Sequence, residues 1–209
     1  VTACSDPSAP AQPALSPHAL AVIAHAVTGM MVCEVTIESG FAPATGAEAA
    51  TMPTIECSPS PDRSSAGEGA GVFASDTILQ RFADIGFTYQ TPAWSVVAGV
   101  GSMTVKISVI NHIAKPLGTS DGVHPAPNGT RVFIMSGPTV LTCSGLCLVP
   151  SVTVNNSSGT GTFTAAGQMY FEYPGIIKPD SASTAVQWSF AIIDASKFNF
   201  QVGVDAITP

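Results

Sequence analysis

In the stretch MMVCEVTIESG, Met31, Cys33, Val35 and Ile37 alternate with Glu34, Thr36 and Glu38. A period of two puts the apolar set on one face and the polar set on the other, which predicts a half-buried β-strand. The pattern returns in SMTVKISVI, where Met103, Val105, Ile107 and Val109 share a side. Beyond residue 95 come GTRVFIM, PTVLTC, LVPSVTV, GTGTFTA, QMYFEY, TAVQWSFAII and FNFQVGVDAI, punctuated by Gly, Pro, Asn and Ser. Short strands spaced by roughly 8–12 residues predict a sandwich or barrel. Helical crossovers are missing, so a parallel α/β sheet is not expected.

The first half is less regular. Residues 1–17 form an N-terminal extension rich in Pro, Ser and Ala. SPHALAVIAHAVTG supports two readings. Ser16, Pro17 and Gly29 would cap, open and stop a short helix, with Leu20, Ile23 and Val27 at helical spacing. Leu20, Val22, Ala24 and Ala26 alternate as a strand would. From Gly40 to about Gly71 the chain reads as loops, interrupted by TIEC. SDTILQRFADIG predicts a short amphipathic helix, with Ile78, Phe82 and Ile85 on one face and Gly86 closing it. The expected organisation is therefore an extension over 1–17, a β-rich region with long loops over 18–94, and a sandwich over 95–209, with at most one or two short helices.

Composition narrows the partners. Only 10% of the 209 residues are charged, against an ordinary ~25%, and mean hydropathy is +0.36. The most apolar stretch, ALAVIAHAVTGMMVCEV, is broken by His25, Thr28, Gly29 and Glu34, so no membrane span is expected. A surface this poor in charge is weakly hydrated and suited to burial against neighbours. The formal charge is −7 and the seven Lys and Arg are scattered. Without a basic cluster to neutralise phosphates, nucleic acid is not an expected partner.

Five cysteines stand at 4, 33, 57, 143 and 147. They lack zinc-site spacing. In TCSGLC, Cys143 and Cys147 would face each other at the mouth of a tight hairpin and bridge. Cys33 and Cys57 would pair across the N-terminal half, leaving Cys4 over. This implies an oxidising compartment and an extracellular or cell-surface location; the alternative is five buried free thiols. Val1-Thr2-Ala3-Cys4 matches the bacterial lipobox, so Cys4 is a candidate for lipidation. Because such processing would remove the three residues before Cys4, the preferred expectation is a connector, with Cys4 free or bridged to another subunit.

Little in the chain points to catalysis. No Gly-rich phosphate-binding loop between a strand and a helix occurs. SAGEGAGV is Gly-rich but reads as a loop. Glu34 and Glu38 lie on the solvent face of a strand. His18 and His25 are seven apart with no completing ligand, and His112 and His124 flank a long insert containing Asp121; surface-loop histidines are the expectation, with no metal, no cofactor and no catalytic residues. Sequons begin at Asn128, Asn155 and Asn156. In a chain so rich in Ser and Thr such triplets arise by chance, although in a eukaryotic source they would mark glycan-bearing loops. Tyr170 and Trp188, read as lying on faces opposite Phe171 and Phe190, are candidates for a binding patch.

VVAGVGSMTVKISVINHIAKPL, NGTRVFIMSG and VTVNNSSGTGTFTAAG occur in an order that resembles the bacterial Ig-like domains of the invasin and intimin type, over roughly residues 95–200. The insert GTSDGVHPAP and the CSGLC segment depart from that pattern. The resemblance implies an Ig-like antiparallel β-sandwich, in a family whose modules act mostly as extracellular spacers or adhesive tips. The expected function is a structural subunit of an extracellular assembly such as a pilus, filament or sheath. Its copies would be joined by donation of an N-terminal segment spanning about residues 5–27, with Leu20, Val22, Ile23 and Val27 at the subunit contact. The alternatives are a surface-anchored adhesion module that binds a cell-surface or host ligand, and a secreted enzyme with an unrecognised site.

Overall fold

In a computed structural model, the described residues are 26–37, 53–59, 85–97, 99–143 and 148–209. They form twelve strands and no helix. These are β1 (Ala26–Thr36), β2 (Thr54–Pro59), β3 (Ile85–Tyr89), β4 (Ala93–Val97), β5 (Val100–Asn111), β6 (Thr130–Cys143), β7 (Ser151–Val154), β8 (Gly159–Gly161), β9 (Gln168–Tyr173), β10 (Ser181–Ala182), β11 (Val186–Ile193) and β12 (Ala195–Ala206). One sheet has the order β2-β1-β12-β6-β9-β8. The other has the order β10-β5-β11-β7, with β3 and β4 also paired to β5. All pairings are antiparallel, and the fold is an all-β sandwich.

The alternating segments form strands as expected. Cys33, Val35 and Ile37 are buried while Glu34 and Thr36 are half-buried, and Met103, Val105, Ile107 and Val109 are buried on the inner face of β5. The core joins the two sheets through rings. Phe171 of β9 stacks on Trp188 of β11 with centroids 4.2 Å apart and planes within 9°. Phe190 of β11 meets Phe198 and Phe200 of β12 at 5.7 and 5.4 Å. Trp188 Nε1 donates to the Tyr173 hydroxyl at 3.1 Å, so the indole satisfies its one polar atom inside the core. Burial pushes the Tyr173 phenol well above its ordinary range, which keeps that acceptor uncharged.

Several expectations are corrected. Ile85 and Gly86, assigned to the end of a helix, open β3 and pair with Asn111 and Ile110. Residues 75–84 lie outside the described part. Gly29, read as a helix stop, lies inside β1, beside an irregularity between Val27 and Met30. GTRVFIM and PTVLTC are one strand, β6, that follows β12 through several register shifts near a cis Gly137–Pro138 peptide. Residue 95 does not separate two folded parts. β1 pairs with β12, and β3 and β4 pair with β5, so the strands from before it complete both sheets.

β6 and β7 are not hairpin partners either. β6 belongs to the first sheet and β7 to the second, so the connection crosses between layers. Cys33 and Cys57 are opposite one another on β1 and β2 and are bridged. Cys143 is also disulfide-bonded. Cys147 (its expected partner), Cys4, Leu20, Val22, Ile23, His18 and His25 lie outside the described residues. Val27, expected at a subunit contact, belongs to β1 and pairs with Asp205 in its own sheet.

Candidate functional site

The two ends of the sandwich are built differently. At one end β1 begins and β12 finishes, with Ala26 opposite Ala206, and the insert between β5 and β6 packs there. Asn111 anchors that insert: its buried amide donates to the carbonyls of Lys115 and Ile177 at 2.9 and 3.0 Å and accepts from the Ile113 N–H at 3.0 Å. Leu117 bridges to Ile177, Gly118 N–H donates to Ile207 O at 2.9 Å, and Lys115 Nζ donates to Pro209 O at 2.7 Å. The connection from β5 to β6, which contains GTSDGVHPAP, is thus a cap tied to Ile177 and to the residues that follow β12.

Within the cap Asp121 closes a tight turn. Its Oδ1 accepts from the N–H groups of His124 and Val123 at 2.8 and 2.9 Å and from Thr119 Oγ1 at 3.1 Å. Its Oδ2 lies 2.7 Å from His124 Nδ1. The backbone bond from His124, then the imidazole, then the Val123 N–H, hold the carboxyl well below its ordinary 3.8. A carboxyl depressed by folding contributes stability above its unfolded value and loses it as pH falls toward the folded one. We expect the Asp121 carboxyl to remain ionised at about pH 3 in a carbon-detected NMR titration; a midpoint near 3.8 would refute the turn geometry.

The arrangement is a turn closed by backbone N–H groups on the Asp121 carboxylate. No group of three or more His, Cys, Asp or Glu side chains that could hold a metal occurs among the described residues. His112 does not join the cluster as a third ligand; its imidazole lies over Gly86 of β3, where a β-carbon would stand 3.2 Å from Nε2. Glu34 is engaged by Lys197 Nζ at 2.8 Å on the outer face of the first sheet. The sequon at Asn156 is structurally occupied: its amide donates to Gln187 O and accepts from Ser189 N–H, prolonging the pairing along β11 past the end of β7.

The proposed aromatic patch dissolves on inspection of the register. Trp188 and Phe190 are two residues apart and therefore share the inner face, where both are buried. Tyr170 does lie on the outer face of the first sheet, but it packs on Phe133 at 5.3 Å and beneath the Arg131 guanidinium at 4.4 Å. Its ring is covered by its neighbours.

The opposite end is apolar. There the β4–β5 hairpin, the β6–β7 connection and the β11–β12 turn come together: Gly101 is opposite Ile192, Ile193 opposite Ser151, and Ala195 opposite Cys143. Apart from Tyr89 and Val123, every markedly exposed large hydrophobic among the described residues lies at this end. Leu148, Val149 and Val97 are 77, 73 and 72% exposed, with Val96, Val100, Leu141 and Ile193 beside them less so. Burying one such side chain is worth about 1.5–3 kcal/mol, so a clustered set is an incentive to association that scattered residues lack. Gly101 supports the hairpin from within: a β-carbon there would run into the Trp94 indole, which lies across it. The hairpin therefore presents Val97 and Val100 from a packed base.

No contiguous pattern could have revealed this surface, because its members are drawn from three stretches far apart in the chain, around residues 96–100, 141–149 and 193. No protein-family model, curated protein or solved structure matches the chain. No helix among the described residues is long and apolar enough to cross a membrane.

Proposed function

We propose that this chain is a structural subunit of an extracellular assembly in which β-sandwiches join end to end through their N-terminal segments. The observation that carries the reading is the polarity of the sandwich. The N-terminal segment joins β1 at the polar, capped end, while the exposed apolar side chains collect at the other. A surface on one end and a connector on the other make a heterologous contact, which is not a two-fold dimer and which repeats into a fibre where the rotation between copies does not close a ring. The Cys33–Cys57 bridge and the disulfide at Cys143 support an oxidising compartment.

The expected result is concentration-dependent growth of filaments by the full chain, seen by electron microscopy and sedimentation velocity, and a monomer when residues 1–25 are deleted. Polymerisation of the truncated chain, or a strictly monomeric full chain, would overturn the proposal.

The same polarity favours one second reading, a surface-anchored adhesion module. Attachment through Cys4 would hold the polar end near the membrane and point the apolar end outward toward a ligand. That reading requires a lipid mass on Cys4 and no self-association, so intact-mass spectrometry and sedimentation separate the two.

A further inference from the structure

We infer that the apolar end formed by Val97, Leu148, Val149 and Ile193 is the acceptor for residues 14–25 of a second copy of this chain. The inference rests on the assembly reading and specifies its contact. Three observations select the occupant.

Chemistry comes first. Residues 7–25, PSAPAQPALSPHALAVIAHA less its last alanine, contain no Asp, Glu, Lys or Arg and carry Leu20, Val22 and Ile23 close together. The acceptor end offers valines and leucines, with Asp194, Glu56 and the Lys197–Glu34 pair as its nearby charges. An uncharged apolar segment matches it; an anionic polymer or a charged peptide does not.

The second observation is reach. β1 runs from Ala26 at the capped end to Thr36 at the acceptor end. Ten steps at about 3.4 Å make that distance about 34 Å. Leu20 lies six residues before Ala26, so even fully extended chain carries it at most about 21 Å from the start of β1. Leu20, Val22 and Ile23 therefore cannot touch the acceptor end of their own sandwich. In a molecule stacked end-on beneath the capped end, the same surface lies directly in their path.

Competition from other segments is the third. Residues 38–52 join β1 to β2 at the acceptor end, but Phe41 and Met52 are their only large apolar residues and they carry two glutamates. Residues 60–84 carry Val72, Phe73, Ile78, Leu79 and Phe82 but also six charged residues, so both segments match the surface less well than LAVIA does.

The test is complementation between two full-length variants. The acceptor variant carries Val97→Glu and Leu148→Glu, both at exposed positions. The donor variant carries Leu20→Glu and Ile23→Glu. Each variant alone should sediment as a monomer with at least tenfold weaker self-association than the native chain. Mixed in equal amounts they should give a dimer that does not grow, because one intact donor meets one intact acceptor. Circular dichroism and the thermal midpoint of each variant establish that both are folded.

Filaments from either variant alone would overturn the contact while leaving the assembly reading in place. Dimers of the donor variant alone would indicate an acceptor-to-acceptor contact and also overturn it. A native chain that never associates defeats the assembly reading itself, before either variant is made.

Discussion

Trp188→Ala should lower the stability of the sandwich by about 4–6 kcal/mol, a large part of the ~5–15 kcal/mol available to an ordinary domain. The indole is 1% exposed and bridges the layers. It stacks on Phe171 at 4.2 Å, meets Phe200 at 6.1 Å and donates to Tyr173. Truncation opens a cavity among rings that belong to different strands and cannot collapse together. It also leaves the buried Tyr173 hydroxyl without its donor, which adds a desolvation cost to the lost packing. Trp188→Phe isolates that second part: the stacking survives, the donor does not, and the expected loss is about 1–2 kcal/mol. Urea unfolding followed by fluorescence and circular dichroism measures both. A Trp188→Ala loss below about 2 kcal/mol would mean that the ring is not the joint between the sheets.

Removing the Cys33–Cys57 bridge ranks next. The two cysteines are 24 residues apart, and closing a loop of that length restrains the unfolded chain by about 3 kcal/mol. The segment between them contains ATGAEAAT, a composition with no large apolar side chain to offset its own ordering. The double variant Cys33→Ala and Cys57→Ala should therefore unfold at lower urea, with the change lying mainly in the unfolded state. Alanine is the right replacement because Cys33 is 1% exposed, and serine would bury a hydroxyl there. A loss under about 1 kcal/mol would place the stability of β1 in its pairing with β12 instead of in the bridge.

What was legible in the chain was whatever depends on period two. The faces of β1 and β5 follow directly from Cys33-Val35-Ile37 and Met103-Val105-Ile107-Val109, because a strand buried on one side must alternate. The Cys33–Cys57 pairing was legible only as the pair remaining once Cys143 was assigned to Cys147; that the two face each other on β1 and β2 was not, because TIEC stands in otherwise loop-like sequence. Sheet membership was not. β6 and β7 look like neighbours across CSGLC, yet the chain changes layer between them, and nothing local to Cys143 or Pro150 encodes that choice. Ile85 and Gly86 were misassigned because Ile78, Phe82 and Ile85 also satisfy a helical period; pairing with β5, a non-local term, decides in favour of strand. The acceptor surface was the least legible part. Val97, Leu141, Leu148 and Ile193 become neighbours only through topology.

The position of β12 has a consequence for how the molecule is made. This strand is near the end of the chain in sequence and central in its sheet, between β1 and β6. Until residues 195–206 emerge, β1 and β2 have no link to β6, β9 and β8, and Phe198, Phe200, Val202 and Val204 are missing from the core. The first sheet is therefore joined only when its last strand pairs on both sides, and the sandwich is completed by long-range pairings. Loss of β12 would therefore split the first sheet into two unconnected parts, β2-β1 and β6-β9-β8.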